Sequence, residues 1–384
     1  MIKLFENIDR TFQGPASHNE NTYNYYQRSA RKDISIIRET LNNWFSKYPD
    51  SEKKELKSSF KKKFDDCFYE LFLYQLFTNL NFEIEVHPTL PNTPKKPDFL
   101  IKKGTYEIYV EAKIVKNKSH QQEALDRKIN EFYDNLSKLN SKGFLLNIDT
   151  FIIKTPKQPS TKELIKQIEL EIEKIDPDIV TVEVTKNGFE SIPIIEIENE
   201  DIHIIIKPMP VIPSAREIKK RPIGMYPIDS IWGGGEESLK DSISMKAKRY
   251  GKLDKPFLVC VNSLDMKTSG TIDIENAIWG SLAISWSTDP SDKDEKWIRK
   301  KDGLFLSENN IKLANLSGVL VTKVFPHNIP SANYWLFKHP FSENELDFNL
   351  LGLKYNYVEK GKINSILGDD LSDIFQIKHD WLNE

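Results

Sequence analysis

Between Phe64 and Leu80 the chain carries Cys67, Phe68, Leu71, Phe72, Leu73, Leu76 and Phe77, so a helix over this stretch is apolar nearly all round. A surface helix keeps a single apolar stripe, whereas one without a polar face has to be buried. The segment therefore marks the centre of a packed core. One charge lies inside it: Glu70, a carboxylate that is expensive to bury unless it meets a cation, a metal or hydrogen-bond donors. The chain of 384 residues is ample for one elaborated domain or two ordinary ones. Its 39% hydrophobic and 29% charged content is that of a globular protein, and no apolar run approaches a membrane span.

Directly after this helix, residues 97 to 113 read Pro-Asp-Phe-Leu-Ile-Lys-Lys-Gly-Thr-Tyr-Glu-Ile-Tyr-Val-Glu-Ala-Lys. Asp98 to Ile101 and Tyr106 to Val115 are rich in β-branched and aromatic residues, and Lys102-Lys103-Gly104-Thr105 supplies turn chemistry, which predicts a β-hairpin. On the second strand Ile108, Val110, Ala112 and Ile114 alternate with Tyr109, Glu111, Lys113 and Val115. Residues two apart on a strand share a face, so Glu111 and Lys113 project together. Asp98 and Glu111 at one edge of a sheet could hold a hard divalent cation through oxygen, and Mg²⁺ suits such a partial site because it keeps several waters. Lys113 would then orient or help deprotonate an attacking water and offset phosphate charge.

These residues resemble the PD-(D/E)XK motif of the restriction-endonuclease-like nuclease superfamily. The resemblance implies that Asp98 and Glu111 bind Mg²⁺, that Lys113 assists the nucleophilic water, and that the Ala112 backbone carbonyl is a further ligand; Mn²⁺ is the expected substitute. Three Pro-Asp pairs occur, at Pro49-Asp50, Pro97-Asp98 and Pro177-Asp178, but only the second is followed at hairpin distance by Glu-x-Lys on a strand-like run. Many superfamily members carry an acidic residue on the helix before the sheet, and Glu70 matches by type and place. A Glu paired with a lysine at the helix rim would suit the position equally, and the sequence leaves both readings open.

The superfamily core runs helix, three strands, helix, strand, often with a polar residue four before a tyrosine on its second helix. The polar stretch Gln121 to Lys138 could fill that place, but Glu236 to Tyr250 matches better. Leu239, Ile243 and Ala247 fall at helix spacing there, and Lys246 and Tyr250 share a face. Phe257 to Val261 then reads as a buried central strand. The expected fold is α/β, a restriction-endonuclease-like mixed sheet flanked by helices, its core split between 61–118 and 236–340. An α+β insertion occupies 119–235. Within it Phe144 to Lys154 reads as a strand, Thr161 to Ile175 as a helix, and Ile192 to Ile197 with Ile202 to Lys207 as a second hairpin. Thr155 to Pro159 and Lys207-Pro208-Met209-Pro210 through Pro213 read as linkers. Substrate contact, dimerisation and plain elaboration are all open roles for this insertion.

Residues 1–60 read as an accessory helical region, with Tyr23 to Trp44 as one long helix. Beyond the core, Ile272 to Trp286 reads as a helix, Asp289 to Asp302 as a charged loop, Leu316 to Phe325 and Tyr334 to Phe337 as neighbouring strands, and 341–384 as a C-terminal tail region. This layout, including Trp232-Gly233-Gly234-Gly235, Asn262 and His339-Pro340, resembles a group of uncharacterised bacterial proteins over most of the chain, a resemblance that carries architecture and no activity. Met1-Ile2-Lys3 is followed by charge rather than an apolar stretch, and Cys67 and Cys260 both fall in core elements as buried thiols, so the expectation is a cytoplasmic protein.

A net charge of −3 decides nothing about nucleic acid, because local patches bind phosphate. Lys95, Lys96, Lys102, Lys103, Lys116 and Lys118 are favoured as backbone-neutralising contacts by their closeness to the site in sequence. Other chemistries rate low. The seven histidines show no zinc spacing, Gly233-Gly234-Gly235 lacks a P-loop lysine in register, and no Ser-His-Asp signature is present. His87 reads as a strand end rather than a site residue. The expected function is a Mg²⁺-dependent endonuclease acting on DNA in preference to RNA, in restriction or antiviral defence, either as a homodimer or with a partner subunit of a defence system. The alternatives are a catalytically silent nucleic-acid-binding or assembly subunit and an RNase of the same fold.

Overall fold

A computed structural model of the chain describes residues 2–116, 119–216, 221–227, 234–265, 270–288, 294–307 and 310–383. They form two compact mixed α/β units: one is built from 1–14, 21–117 and 232–384, the other from 15–20 and 118–231.

In the first unit the apolar run forms the helix Phe64–Asn79, with Phe68, Phe72 and Phe77 at most 2% exposed. Burial of each such ring is worth about 2–3 kcal/mol before conformational entropy is counted. The chain then makes three antiparallel strands, Glu83–Val86, Phe99–Lys103 and Tyr106–Val115. After the second unit it returns through the helix Gly235–Ala247 to the strand Phe257–Ser263, which lies parallel to Tyr106–Val115 with Glu111 opposite Val259 and Lys113 opposite Val261. All seven residues of Phe257–Ser263 are buried, as a central strand covered on both faces requires. The sheet continues through Gly318–Thr322, Tyr334–Lys338, Tyr355–Glu359 and Lys362–Ile366 to eight strands. The last two come from residues read as a tail region; Phe375 beyond them stacks on Phe72, 5.1 Å between centroids.

Strand alternation sorts the core. Leu100, Tyr109, Val115, Phe257, Val259 and Val261 pack with Leu239, Ile243, Ala247 and Tyr250. Phe99, Ile101, Ile108, Val110, Leu258 and Cys260 are buried on the other face. Glu111 and Lys113 therefore project on the side of the Gly235–Ala247 helix.

In the second unit Phe144–Ile153 pairs antiparallel with Ile202–Pro210, and Ile195–Glu198 and Ile223–Met225 complete a four-stranded sheet. Helices His120–Leu136, Thr161–Glu173 and Pro177–Asn187 belong to this unit, with Phe132, Leu136, Leu164 and Ile168 buried against Leu146 and Ile204.

Three readings of the sequence are corrected. The single helix expected over Tyr23 to Trp44 is two, Thr22–Arg28 and Lys32–Lys47. Ser29 is extended and bridges to Phe12, and the buried Arg38 guanidinium donates to the carbonyls of Tyr26 (2.9 Å) and Ser29 (2.6 Å). A long-range partner thus takes the carbonyls that helix continuation would have used. The linker expected at Lys207 to Pro210 is strand, with Pro208 opposite Leu146 and Pro210 opposite Phe144. The neighbouring strand Ile195–Glu198 reaches only to Ile206, so both prolines lie where one edge of the strand is free and a missing N–H costs no ladder bond.

The helix expected through Trp286 ends at Trp279, and Leu282–Ser285 pairs with Lys296–Arg299 from the presumed loop. Gly280 makes the stop: its φ is +102°, and a Cβ built there would overlap the Lys300 carbonyl oxygen. Gly280→Ala is accordingly expected to cost about 2 kcal/mol or more, read as a lowered urea midpoint, because neither the backbone conformation nor the space admits a side chain.

Candidate active site

Of the three Pro-Asp pairs, two begin helices, Asp50–Phe60 and Pro177–Asn187. Only Pro97-Asp98 leads into a strand. Phe99 faces Val110 at the end of the hairpin ladder, which sets Asp98 just ahead of it and level with Glu111. Directly opposed residues share a face, so hairpin register brings the two carboxylates together. Asp98 Oδ2 accepts from the Ala112 amide at 2.6 Å, where the ladder to the Phe99–Lys103 strand has run out. The amide and carbonyl of one strand residue point to the same edge, so the Ala112 carbonyl shares this gap with Asp98.

Glu111 is 1% exposed and carries three donors. Lys246 Nζ and Arg249 Nη1 (3.2 Å) contact its Oε1, and the Tyr250 hydroxyl donates to its Oε2. Lys246 and Tyr250, expected on one face of a helix running to Tyr250, meet on a single carboxylate from well over a hundred residues away, although the helix ends at Ala247 and Tyr250 lies in the turn that follows. Arg249 was noted only as part of a basic run; its signal was the three-residue step from Lys246, one helical turn, just where the helix ends. The Tyr250 hydroxyl also lies 2.9 Å from the Lys96 carbonyl.

Asp98 is the electrostatic outlier. Burial first, and Glu111 second, push its carboxyl up to about 7; the Ala112 amide and Lys246 oppose this, and Glu70 adds to it. Glu70 is therefore within electrostatic reach of Asp98. Its own carboxyl is raised by burial, partly offset by the hydrogen bond that Tyr48 donates to Oε1 at 2.6 Å. The partner at this position is a tyrosine hydroxyl rather than a rim lysine. His87, at φ +50°, donates its amide to the Asp98 carbonyl at 3.0 Å, with its ring 3.3 Å from Glu52.

Lys113 is half-buried and makes no side-chain hydrogen bond or ion pair among the described residues. The other lysines divide. Lys95 Nζ reaches the Arg249 carbonyl at 3.1 Å and Lys96 is exposed, so both stand beside the Glu111 cluster. Lys116 pairs with Asp65 at 2.6 Å. Lys102, at the turn end of the hairpin, pairs with Glu85 and Glu107, and Lys103 donates to the carbonyls of Leu80 and Leu350. Leu80 caps the apolar helix, so Lys103 serves that helix's C-terminal carbonyls. Lys118, Trp232, Gly233 and the Lys219-Lys220 run lie outside the described residues.

Asp98, Glu111, Glu70 and the Ala112 carbonyl offer oxygen donors alone, the ligand type of a hard cation rather than of a thiophilic one. These carboxylates are not drawn into a tight cage. Among the described residues, the one group of three His, Cys, Asp or Glu with ligand atoms all within 4.8 Å is in the second unit: Glu196, Glu198 and His203. Both its glutamates are exposed, His203 Nε2 lies 2.9 Å from Glu196, and Lys154 already pairs with Glu198 at 2.7 Å, as in a surface ion-pair cluster.

Among the described residues no helix is long and apolar enough to cross a membrane. No protein-family model, no curated protein and no solved structure matches this chain.

Proposed function

We propose that the first unit is a restriction-endonuclease-like core and that the protein is a metal-dependent nuclease, acting on DNA in preference to RNA. One observation carries the reading: Asp98, Glu111 and Lys113 stand together at the end of a hairpin ladder, with Lys246 reaching in from the following helix and Tyr250 from the turn just after it. The order helix, three strands, helix, parallel strand around them supports it. Binding alone has no use for clustered carboxylates, which repel phosphate unless a cation lies between. In this reading Asp98, Glu111 and the Ala112 carbonyl hold Mg²⁺ or Mn²⁺, with Glu70 beside them. The bound ion would polarise the phosphodiester and acidify water. Lys113 orients the attacking water. A role in restriction or antiviral defence, and action as a homodimer or with a partner subunit, are extensions by analogy of fold.

A catalytically silent binding subunit is the second reading, and it draws on the fact that both Glu111 oxygens already have protein donors. Incubation with duplex DNA, single-stranded DNA and RNA in Mg²⁺, Mn²⁺ or EDTA separates them. Metal-dependent cutting supports the nuclease and names its substrate; no cutting with any substrate and ion supports the silent subunit.

The raised Asp98 carboxyl gives a further expected result. A divalent cation has to displace its proton, so the half-saturating Mg²⁺ concentration should rise by about tenfold per pH unit below the value near 7 and level off above it. Metal-free stability runs the other way. From the ordinary carboxylate range up to about 7 the folded chain holds this proton and the unfolded chain does not, so this contribution falls as pH rises through that window. Calorimetric Mg²⁺ titrations at stepped pH check the first sign, and metal-free urea melts the second.

A further inference from the structure

Arg249 is the least committed of the three groups on Glu111. Its side chain is 43% exposed, against 20% for Lys246, and it touches the carboxylate through Nη1 alone, at 3.2 Å. The guanidinium offers five N–H donors in a planar fork. Among the described residues this is its one side-chain hydrogen bond; the group otherwise lies 5.6 Å from the Tyr250 ring centroid. Most of the fork therefore faces outward beside the carboxylates, next to Lys95, whose Nζ is held on the Arg249 carbonyl. The local charges give this arrangement a direction. Without a cation, Glu111 is buried and needs positive partners. With a cation on Glu111, Lys246, Arg249 and Lys113 together exceed what Asp98 and Glu111 can balance, and the group best able to leave is the half-exposed, singly bonded one.

We propose that Arg249 is a two-position residue: it caps Glu111 while the site is metal-free and, once a divalent cation takes that carboxylate, turns its fork to a non-bridging oxygen of the substrate phosphodiester. The assignment rests on the nuclease reading above and adds to it a phosphate-positioning residue. A guanidinium suits the task because it grips phosphate in a bidentate fashion that an ammonium does not. Arg249 also competes with the metal, and this consequence distinguishes it from a purely structural ion pair.

The test uses the full chain, Arg249→Ala and Arg249→Lys, each first shown to be folded by circular dichroism. Mn²⁺ alone is titrated and followed by electron paramagnetic resonance. Binding of a DNA duplex is then measured in Ca²⁺ across a salt series. Loss of the competitor should tighten Mn²⁺ binding in Arg249→Ala by up to about fivefold, the upper end for a partly exposed ion pair. Duplex binding should weaken, with the salt dependence shallower by about 0.9 in log–log slope, as for one lost phosphate contact. Arg249→Lys should fall between, and it carries the test if the alanine variant does not fold. Unchanged or weaker Mn²⁺ binding in the variants, with the parent chain binding Mn²⁺, would overturn the proposal and leave the nuclease reading standing. A parent chain that binds no Mn²⁺ would overturn both.

Discussion

Lys113→Ala is expected to abolish metal-dependent cleavage while leaving the urea midpoint where it was. The side chain has no hydrogen bond or ion pair to lose among the described residues, so its removal breaks no structural contact, and its stem is only half-buried. Its neighbours make it chemically indispensable in the proposed reaction: it projects from the same strand face as Glu111, one step along from the Ala112 carbonyl and the Asp98 carboxylate. Loss of a positioned proton-handling group costs about 10²–10⁴-fold in rate. The measurement pairs a single-turnover assay on the preferred nucleic acid with a denaturation curve. A loss of cleavage at constant stability is the expected pattern. A fall in stability of several kcal/mol would instead make Lys113 a structural cation, and the site assignment would fail. Asp98→Ala is a less clean probe, because it also strips the Ala112 amide of its acceptor.

How much of this was legible beforehand depended on whether the signal was local. Strand alternation over Tyr106 to Val115 was enough to set Glu111 and Lys113 on one face, because a period of two fixes facing without knowledge of the partner. The spacing of Lys246 and Tyr250 predicted a shared helical face; the helix stops at Ala247 and Tyr250 lies in the turn after it, yet both side chains still meet Glu111. Non-local competition hid the rest. Nothing near Tyr26 or Ser29 announces that Arg38 takes their carbonyls and ends the first helix. Pro208 and Pro210 read as linker because a proline's tolerance in a strand depends on which edge is bare, a property of the neighbouring strand. Gly280 lay within an apolar run that favoured continuing the helix, and its role as a breaker shows only in the fold. Lys102 and Lys103, close to the motif in sequence, are several residues up the strand from Asp98, and along an extended strand that separates them by more than 10 Å. The Tyr48–Glu70 pair had no sequence signal, since it joins the residue after one helix to the interior of another through a single hydroxyl.

The Glu111 cluster itself sets up an asymmetric pair of substitutions. Glu111 is 1% exposed, while Lys246 and Arg249 keep 20% and 43% of their side chains in water. Removing the carboxylate charge therefore takes away the most desolvated member and leaves cations that can rehydrate. Removing Lys246 leaves the desolvated member with only the longer Arg249 contact and the Tyr250 hydroxyl. Breaking a buried pair costs about 3–5 kcal/mol when the survivor is stranded, and little when the survivor reaches solvent. Lys246→Met should accordingly lower metal-free stability by about 3 kcal/mol, and Glu111→Gln, whose amide oxygen still accepts from Tyr250, by less than about 1 kcal/mol. Urea melts of the two variants in EDTA measure the difference. Activity should not follow stability, because Glu111→Gln removes a proposed metal ligand and should be inactive although well folded. If Glu111→Gln proves the more destabilising of the two, Glu111 is a structural anchor for the Gly235–Ala247 helix, and the carboxylate pair loses its claim to a metal.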